Sequence, residues 1–327
     1  MRAAGVAELP DPRTYRGRLA YEPKWDGWRV ISWVSGQRVV LQSRQLRDLT
    51  RYFPDLVGHL QAHVGAGAVI DGEMVSWDAV SGRSSFPALQ RRVTAGRGLA
   101  AEVTARPAYL VAFDLLADVG GEELLRLPLA ERRVRLLRLL TGAPPQLLVC
   151  PQTLDVDEAR GWMRDWVVAG VEGIVVKDLT SRYTPGQAGW LKLKSRTTTE
   201  AIIAGVTGTV ATPGSLLLGR LDARGRLRYV ARTHPLGAAQ RGEVAGMLQP
   251  ALGAHPWPAP LPGAWTGQLA NRRPLPYVPV HPSVVAEVEV DLAYEHGRWR
   301  HHSRFVRIRA ELEPAELPLW SPNGLAA

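Results

Sequence analysis

Tyr21-Glu22-Pro23-Lys24-Trp25-Asp26-Gly27-Trp28-Arg29 is the stretch on which the reading of this chain turns. It leaves a strand and reverses at Gly27. A Lys-x-Asp-Gly run arises by chance often enough to stand only as a hypothesis until its surroundings support it. Here the surroundings are full. Asp71-Gly72-Glu73 ends one apolar strand and Phe113-Asp114 ends another. Glu172-Gly173-Ile174-Val175-Val176-Lys177 and Trp190-Leu191-Lys192-Leu193-Lys194 follow in order.

The lysines sharpen the point. Of 40 basic residues only Lys24, Lys177, Lys192 and Lys194 are lysines, and the rest are arginines. A bias toward arginine replaces lysine wherever any positive charge will serve. Arginine keeps its proton in a protein, whereas lysine can lose one and become an amine nucleophile. All four surviving lysines lie within the runs quoted above.

Residues 1–197 read as alternating strands and helices. Val30 to Val34 and Val39 to Leu41 pair around a turn at Ser35-Gly36. Val69 to Trp77 and Ala108 to Leu116 are longer strands, and Gly173 to Lys177 and Trp190 to Lys194 are short ones. Helical spacing places a helix over Ala130 to Leu140, with Val134, Leu136, Leu137 and Leu140 along one side. A second helix fits Asp157 to Val168, with Trp162, Trp166 and Val167 inward. The polar run Ser195 to Thr199 reads as a joint. Beyond it come strands at Ile202 to Val210, Leu216 to Leu221 and Leu227 to Arg232, then a helix over Ala238 to Leu248. Val284 to Leu292 and Phe305 to Arg309 complete the pattern. Three strands, a helix and two strands is the order of an OB barrel. Nine prolines from Pro250 to Pro282 predict an extended loop there.

Hydrophobic residues make up 46% of the 327, which predicts globular cores. The net charge of +9 points to an anionic partner, nucleic acid being the commonest. The excess is spread, with 27 basic and 21 acidic residues in 1–197 and 13 and 10 in 198–327. A shallow basic surface therefore fits better than a charged tail. Cys150 is the only cysteine, so no intramolecular disulfide and no cysteine-rich metal site are expected. The N-terminus lacks a signal-peptide core, and the best apolar run, Tyr109 to Leu116, is interrupted by Asp114. Neither export nor a membrane span is expected, and the cytoplasm is the expected compartment.

Taken in order, the quoted runs resemble motifs I, III, IIIa, IV and V of the covalent nucleotidyltransferases: ATP-dependent DNA ligases, RNA ligases and mRNA-capping enzymes. The detail is most similar to short bacterial ATP-dependent DNA ligases, both the stand-alone class C kind and the ligase module of end-joining proteins. Ser181-Arg182-Tyr183-Thr184-Pro185-Gly186 and Phe86-Pro87-Ala88-Leu89-Gln90-Arg91-Arg92 carry that closer likeness. The resemblance implies an α+β chain. An ATP-grasp-like nucleotidyltransferase domain of antiparallel sheets and helices (1–197) would precede an OB-fold barrel (198–327).

The resemblance also implies roles. Lys24 attacks the α-phosphorus of ATP, expels pyrophosphate and carries AMP. Lys192, Lys194 and a bound metal would lower its pKa from about 10.4. Asp26 orients the nucleophile or a metal-bound water. Magnesium is the expected metal, with manganese as an alternative, held by Glu172 first and Glu73 second; Glu73 would otherwise hold the ribose hydroxyls. Arg29 and Arg44 contact ribose or phosphate. Phe113 is the adenine platform, Lys177 lies across the base from it, and Glu22 reads the adenine amino group. Arg307 and Arg309, within Arg304-Phe305-Val306-Arg307-Ile308-Arg309, resemble the motif that orients pyrophosphate. Two departures stand out: Ala310-Glu311 where relatives have Asp-Lys, and Gln45-Leu46 where Asn-Gly is commoner. His301 and His302 are expected to be ordinary surface histidines.

The expected substrate is nicked or broken duplex DNA, RNA-containing nicks included, sealed by a monomer that an unnamed repair protein would assist. Within the enzyme class the rival is RNA ligation or capping. From another class, the rival is a non-catalytic OB protein binding single strands, which would have no use for Lys24 beside two carboxylates.

Overall fold

The computed structural model describes residues 1–322 apart from 14, 16, 37, 78–81, 83, 267–272 and 292. The chain divides into two compact units, Met1–Ser195 and Arg196–Ala327. Its sheets and helices give an α+β fold. No helix among the described residues is long and apolar enough to cross a membrane.

The first unit contains β1 (Arg2–Gly5), β2 (Leu19–Trp25), β3 (Trp28–Ser35), β4 (Arg38–Ser43), β5 (Val69–Val75), β6 (Tyr109–Ala117), β7 (Leu147–Val149), β8 (Val171–Asp178) and β9 (Ala188–Lys194). Its helices are α1 (Pro54–His63), α2 (Phe86–Thr94), α3 (Leu99–Ala105), α4 (Leu129–Leu139) and α5 (Val156–Asp165). The strands form two sheets, ordered β1-β9-β8-β2 and β4-β3-β5-β6-β7. Each sheet buries one face. Val30, Val34, Leu41, Ile70, Met74 and Leu110 pack under α1, α2 and α4. Tyr21, Ile174 and Val176 pack on Ala159 and Trp162 of α5. Since successive strand residues alternate faces, the opposite face of β2 carries Glu22 and Lys24. Val175 and Lys177 of β8, and Lys192 and Lys194 of β9, share that side through the register Val175–Lys192 and Gly173–Lys194. A one-residue slip in β2 would send Lys24 into the α5 core.

Two glycines are dictated by close approach. A Cβ on Gly27 would lie 2.1 Å from the Met74 carbonyl oxygen, and one on Gly173 would lie 2.1 Å from that of Leu193. Gly27 thus lets β2 turn into β3 directly after the Lys24 strand. Gly36, at the β3–β4 turn, has φ 56°.

The helices depart from expectation. Along α4, Leu129, Arg132 and Leu136 are buried, while Val134 and Leu137 are 45% and 47% exposed. The helix is turned so that Arg132 meets buried Asp114, Nε to Oδ1 at 2.7 Å and Nη2 to Oδ2 at 2.9 Å. A paired charge, not a leucine, occupies the centre of the stripe. In α5, Asp155 caps the start by accepting from Asp157 N at 2.8 Å, and the helix stops at Asp165 rather than Val168. Helices α1, α2 and α3 were not anticipated.

The second unit contains β10 (Arg196–Gly208), β11 (Pro213–Leu221), β12 (Leu227–Arg232), α6 (Ala238–Ala245), β13 (Val278–Asp291), a small hairpin of β14 (Tyr294–Glu295) and β15 (Arg298–Trp299), and β16 (Arg304–Ile308). The large sheet is ordered β12-β11-β10-β13-β16. Its two ends meet in a parallel bridge, Thr233 with Ser303, where His234 N donates to Ser303 O at 2.8 Å. That bridge closes the five strands into an OB barrel around Ile203, Leu216, Leu218, Val230, Val288 and Phe305.

The run expected as a joint is strand from Arg196 onward: Thr197, Thr198 and Thr199 pair with Val290, Glu289 and Val288. The proline-rich loop ends at Val278 rather than Pro282. Pro279 lies opposite Gly205 beside a register shift, where a missing donor is tolerated. Leu292, expected to end β13, lies outside the described residues.

Because Asp114 and Arg132 are both fully buried, Arg132→Ala would strand a carboxylate without its counter-charge. Chemical denaturation should show a loss of about 3–5 kcal/mol. A loss below about 1 kcal/mol would mean that the pair contributes only packing.

Candidate active site

The uncovered faces of the two sheets in the first unit come together. Phe113 of β6 meets Trp190 of β9 edge-on at 5.7 Å, and Lys177 Nζ donates to the Phe113 carbonyl at 3.1 Å. Charged residues that alternation had turned away from both cores are thereby gathered between them.

At the centre, Lys24 Nζ donates to Glu172 Oε1, and Lys194 Nζ reaches Glu172 Oε2 at 3.3 Å. Glu172 is buried. Burial works to lower the Lys24 pKa, but the charge and hydrogen bond of Glu172, with Glu73 and Asp26 behind them, outweigh it and raise it above the ordinary value. The expectation of a lowered Lys24 pKa is therefore corrected for the protein alone: carboxylates, not cations, dominate its surroundings. Lys192 is the lysine whose pKa is lowered, by burial and then by Lys24, Lys194 and Arg44.

Glu73 lies within electrostatic reach of the same group. Burial pushes its carboxyl up to about 8; Lys24 and Arg29 oppose the shift, and Asp26 and Glu172 add to it. Asp26 is held at the turn by its backbone N–H, which donates to Gly170 O at 2.9 Å.

Glu22, also buried, accepts from Lys177 Nζ at 2.6 Å and from Gln152 Nε2 at 2.8 Å, with Arg133 at 4.0 Å. The Lys177 ammonium was expected across the base from Phe113. It lies over the Phe113 ring at 4.7 Å and over Trp190 at 4.3 Å. Val175, on the site side of β8, packs in the same cluster as Phe113. Val175 stands outside the residues that the motifs mark, although the alternation in Glu172–Lys177 signals it. Gln152 had no such signal, because it stands in no strand or helix.

Arg29 is bound bidentately by buried Asp71, Nε to Oδ1 at 2.9 Å and Nη2 to Oδ2 at 2.6 Å. Tyr183 donates its hydroxyl to the same Asp71 at 2.8 Å. The guanidinium lies 5.6 Å from the Phe113 ring centre and 5.1 Å from that of Trp190. Arg44 is exposed in the Ser43–Asp48 turn. There Leu46 takes φ 61°, the conformation that a glycine would adopt without strain.

Arg307 and Arg309 belong to the second unit. Arg307 Nε lies 2.9 Å from Glu287, and Arg309 is tied to Glu200 at 2.8 Å and also to Glu311. The glutamate that departs from the family pattern thus binds one of these arginines. In the same unit His301 is partly exposed and pairs with Asp291 at 2.5 Å. Contrary to expectation His302 is not a plain surface residue: it packs edge-on against His234 at 5.4 Å.

Comparison with known proteins agrees with this arrangement. Residues 12–194 match the family model described as ATP dependent DNA ligase domain. DNA ligase C of Mycobacterium tuberculosis is 33% identical over 321 residues, covering 90% of this chain and 87% of that protein. The multifunctional non-homologous end joining protein LigD of Pseudomonas aeruginosa is 34% identical over 83% of this chain, which spans 32% of LigD. Among solved structures, a Lig E DNA ligase described as binding DNA with a minimal scaffold superposes with a TM-score of 0.53 at 17% identity. The match covers 94% of this chain and all of that one, a likeness of fold. With so much sequence held in common along nearly its whole length, the chain belongs to the ATP-dependent DNA ligases.

Proposed function

We propose that this DNA ligase works through Lys24, which takes AMP from ATP and passes it to a 5′-phosphate at a nick or break in duplex DNA. Sealing then follows by attack of the 3′-hydroxyl. The observation that carries the proposal is the sharing of Glu172 between Lys24 and Lys194, with Lys192 beside them. In the first step the Nζ–phosphorus bond forms and the bond to pyrophosphate breaks. The ammonium must first give up a proton; Glu172 holds that proton on Lys24 in the free protein, and a divalent ion taking up the carboxylate would let it leave to solvent. Lys192 and Lys194 supply positive charge for the equatorial oxygens of the transferring group.

The donor set fits a hard cation. Burial, with Asp26 and Glu172 adding to it, pushes the Glu73 carboxyl up to about 8, a cost that a divalent ion beside it would relieve. Magnesium, or manganese in its place, would be held by Glu172 and Glu73 and would neutralise triphosphate oxygens. Glu73 in its protonated form is also a donor for a ribose oxygen. Glu22, fixed by Lys177 and Gln152, accepts from the adenine amino group, and Phe113 supplies the stacking face. Arg29 and Arg44 take ribose or phosphate. Arg307 and Arg309 orient pyrophosphate, for which they must exchange their carboxylate partners.

The proposal further assigns residues 1–197 to adenylation and 198–327 to an OB platform for the duplex. It places the enzyme in the cytoplasm as a monomer, active on RNA-containing nicks and assisted by a repair protein.

Three outcomes test the site. Lys24→Arg should abolish labelling by ATP carrying a tagged α-phosphate, because guanidinium keeps its proton; labelling at the wild-type rate would remove Lys24 from the reaction. Glu172→Ala should retain a small fraction of activity with its magnesium requirement moved to higher concentration, and an unchanged requirement would make Glu172 structural. Without metal or nucleotide, an amine-reactive probe read by mass spectrometry should modify Lys192 before Lys24 and spare Lys177. A lowered pKa leaves more free amine at a given pH and a raised one leaves less, while Lys177 is 1% exposed. Faster modification of Lys24 would contradict its pairing with Glu172.

A further inference from the structure

The sheet face that carries Arg29 and Glu73 continues past the nucleotide site. Val30, Ser32 and Val34 of β3 are buried on the core side, so Arg29, Ile31 and Trp33 share the other side. The register extends that side onto β4, pairing Ile31 with Gln42, Trp33 with Val40 and Ser35 with Arg38. Trp33 is 45% exposed and meets no other aromatic ring among the described residues. Arg38, Arg44 and Arg47 are exposed and form no ion pair among the described residues. Arg44 is close enough to Lys192 to depress its pKa, so the basic hairpin and the site adjoin.

We propose that this face is a docking track for one duplex arm of the nicked DNA, with Trp33 and Arg38 holding its sugar–phosphate backbone. The inference rests on the reading that this unit transfers AMP to DNA. Charge selects the occupant. Exposed arginines that close no ion pair among the described residues, with Asp48 within electrostatic reach of Arg38, beside an exposed indole suit a polyanion. The indole lays an apolar face on sugar and offers an N–H to phosphate. The flanking Ser35, Gln42 and Arg38 make a poor apolar seat for a protein. Length sets the position. The four strand steps from Arg29 to Trp33 span roughly 13 Å, about four base pairs of duplex.

The test compares wild type with the Trp33→Ala/Arg38→Ala double variant on nicked duplexes whose arms are shortened one at a time. Self-adenylylation should be unchanged, because neither residue touches the nucleotide. Affinity for the long-armed nick should fall roughly tenfold. Arg38→Ala alone should lower the slope of log affinity against log salt by about one. Wild type should lose a similar affinity when one arm is cut below about four base pairs, and the double variant should be indifferent to that cut. Trp33→Tyr should retain most of the binding. Unchanged affinity, or a loss equal on long and short arms, would overturn the track. So would impaired self-adenylylation in the double variant, which would make the patch structural. A change confined to self-association in sedimentation would make it an interface between copies. A wild-type chain that never becomes labelled would instead overturn the AMP-transfer reading, whatever the arms show.

Discussion

The Lys24–Glu172 contact governs the site, and it holds opposing demands in one pair of atoms. A nucleophilic amine must be neutral, and this carboxylate keeps it charged. Burial alone would favour the neutral form, but Glu172, Glu73 and Asp26 tip the balance the other way. The free protein therefore holds Lys24, the nucleophile of the proposed reaction, as an ammonium. Any group that competes for Glu172 frees the amine: Lys194 already shares the second oxygen, and a divalent cation would compete more strongly. In the proposed reaction, the carboxylate that restrains Lys24 would thus be the one through which a divalent cation releases it.

That contact depends on two sheets, each with a single covered face. Lys24 lies on β2 and Glu172 on β8, strands paired from Leu19–Asp178 to Trp25–Val171. Helix α5 covers the other side of both, which leaves one side for Lys24 and Lys177. Glu172 has the parity of Ile174 and Val176 and reaches Lys24 where the β2–β8 register shifts between Pro23 and Trp25. Gly27 then allows β3 to start at once, which brings Arg29, Asp71 and Glu73 of the second sheet to the same place. Asp71 is wholly buried and would be costly without Arg29 and Tyr183. The three side chains tie β5, β3 and the β8–β9 connection together beside Phe113.

Much of this was legible in advance, for reasons that differ between residues. Lys24, Glu172, Lys192 and Lys194 were readable because strand periodicity is short and their runs are strongly patterned. The OB order was readable because its strands are punctuated by glycine turns. The face of α4 was not: Val134 and Leu137 fit an apolar stripe, and only the partner Asp114 on a distant strand turns Arg132 inward instead. Helices α1, α2 and α3 were missed because their local composition carries little helical pattern and packing on the β3–β5 sheet decides them. The raised Lys24 pKa was missed for a related reason. The sequence names the charges but not their distances, and Glu172 stands nearer than the cations. Barrel closure rests on one bridge, Thr233 with Ser303, which no pattern of strands could reveal.

Lys177 completes the argument about lysine usage. In the proposed reaction Lys24 must be able to lose a proton, and arginine could not replace it. Lys177 has no such duty, yet it too has escaped replacement. Its ammonium is enclosed by Glu22, the Phe113 carbonyl and the faces of Phe113 and Trp190, with 1% of the residue exposed. A compact point charge with three donors fits that space. A planar guanidinium would be too broad for it, and Phe113 and Trp190 would have to move. Elsewhere the reverse holds: Arg29 and Arg132 each grip an aspartate with a two-pronged fork that lysine lacks. The survival of a lysine in this arginine-rich chain therefore has at least two causes to choose from, the proposed proton chemistry at Lys24 and steric confinement at Lys177. Scarcity alone marks the site without saying which cause applies.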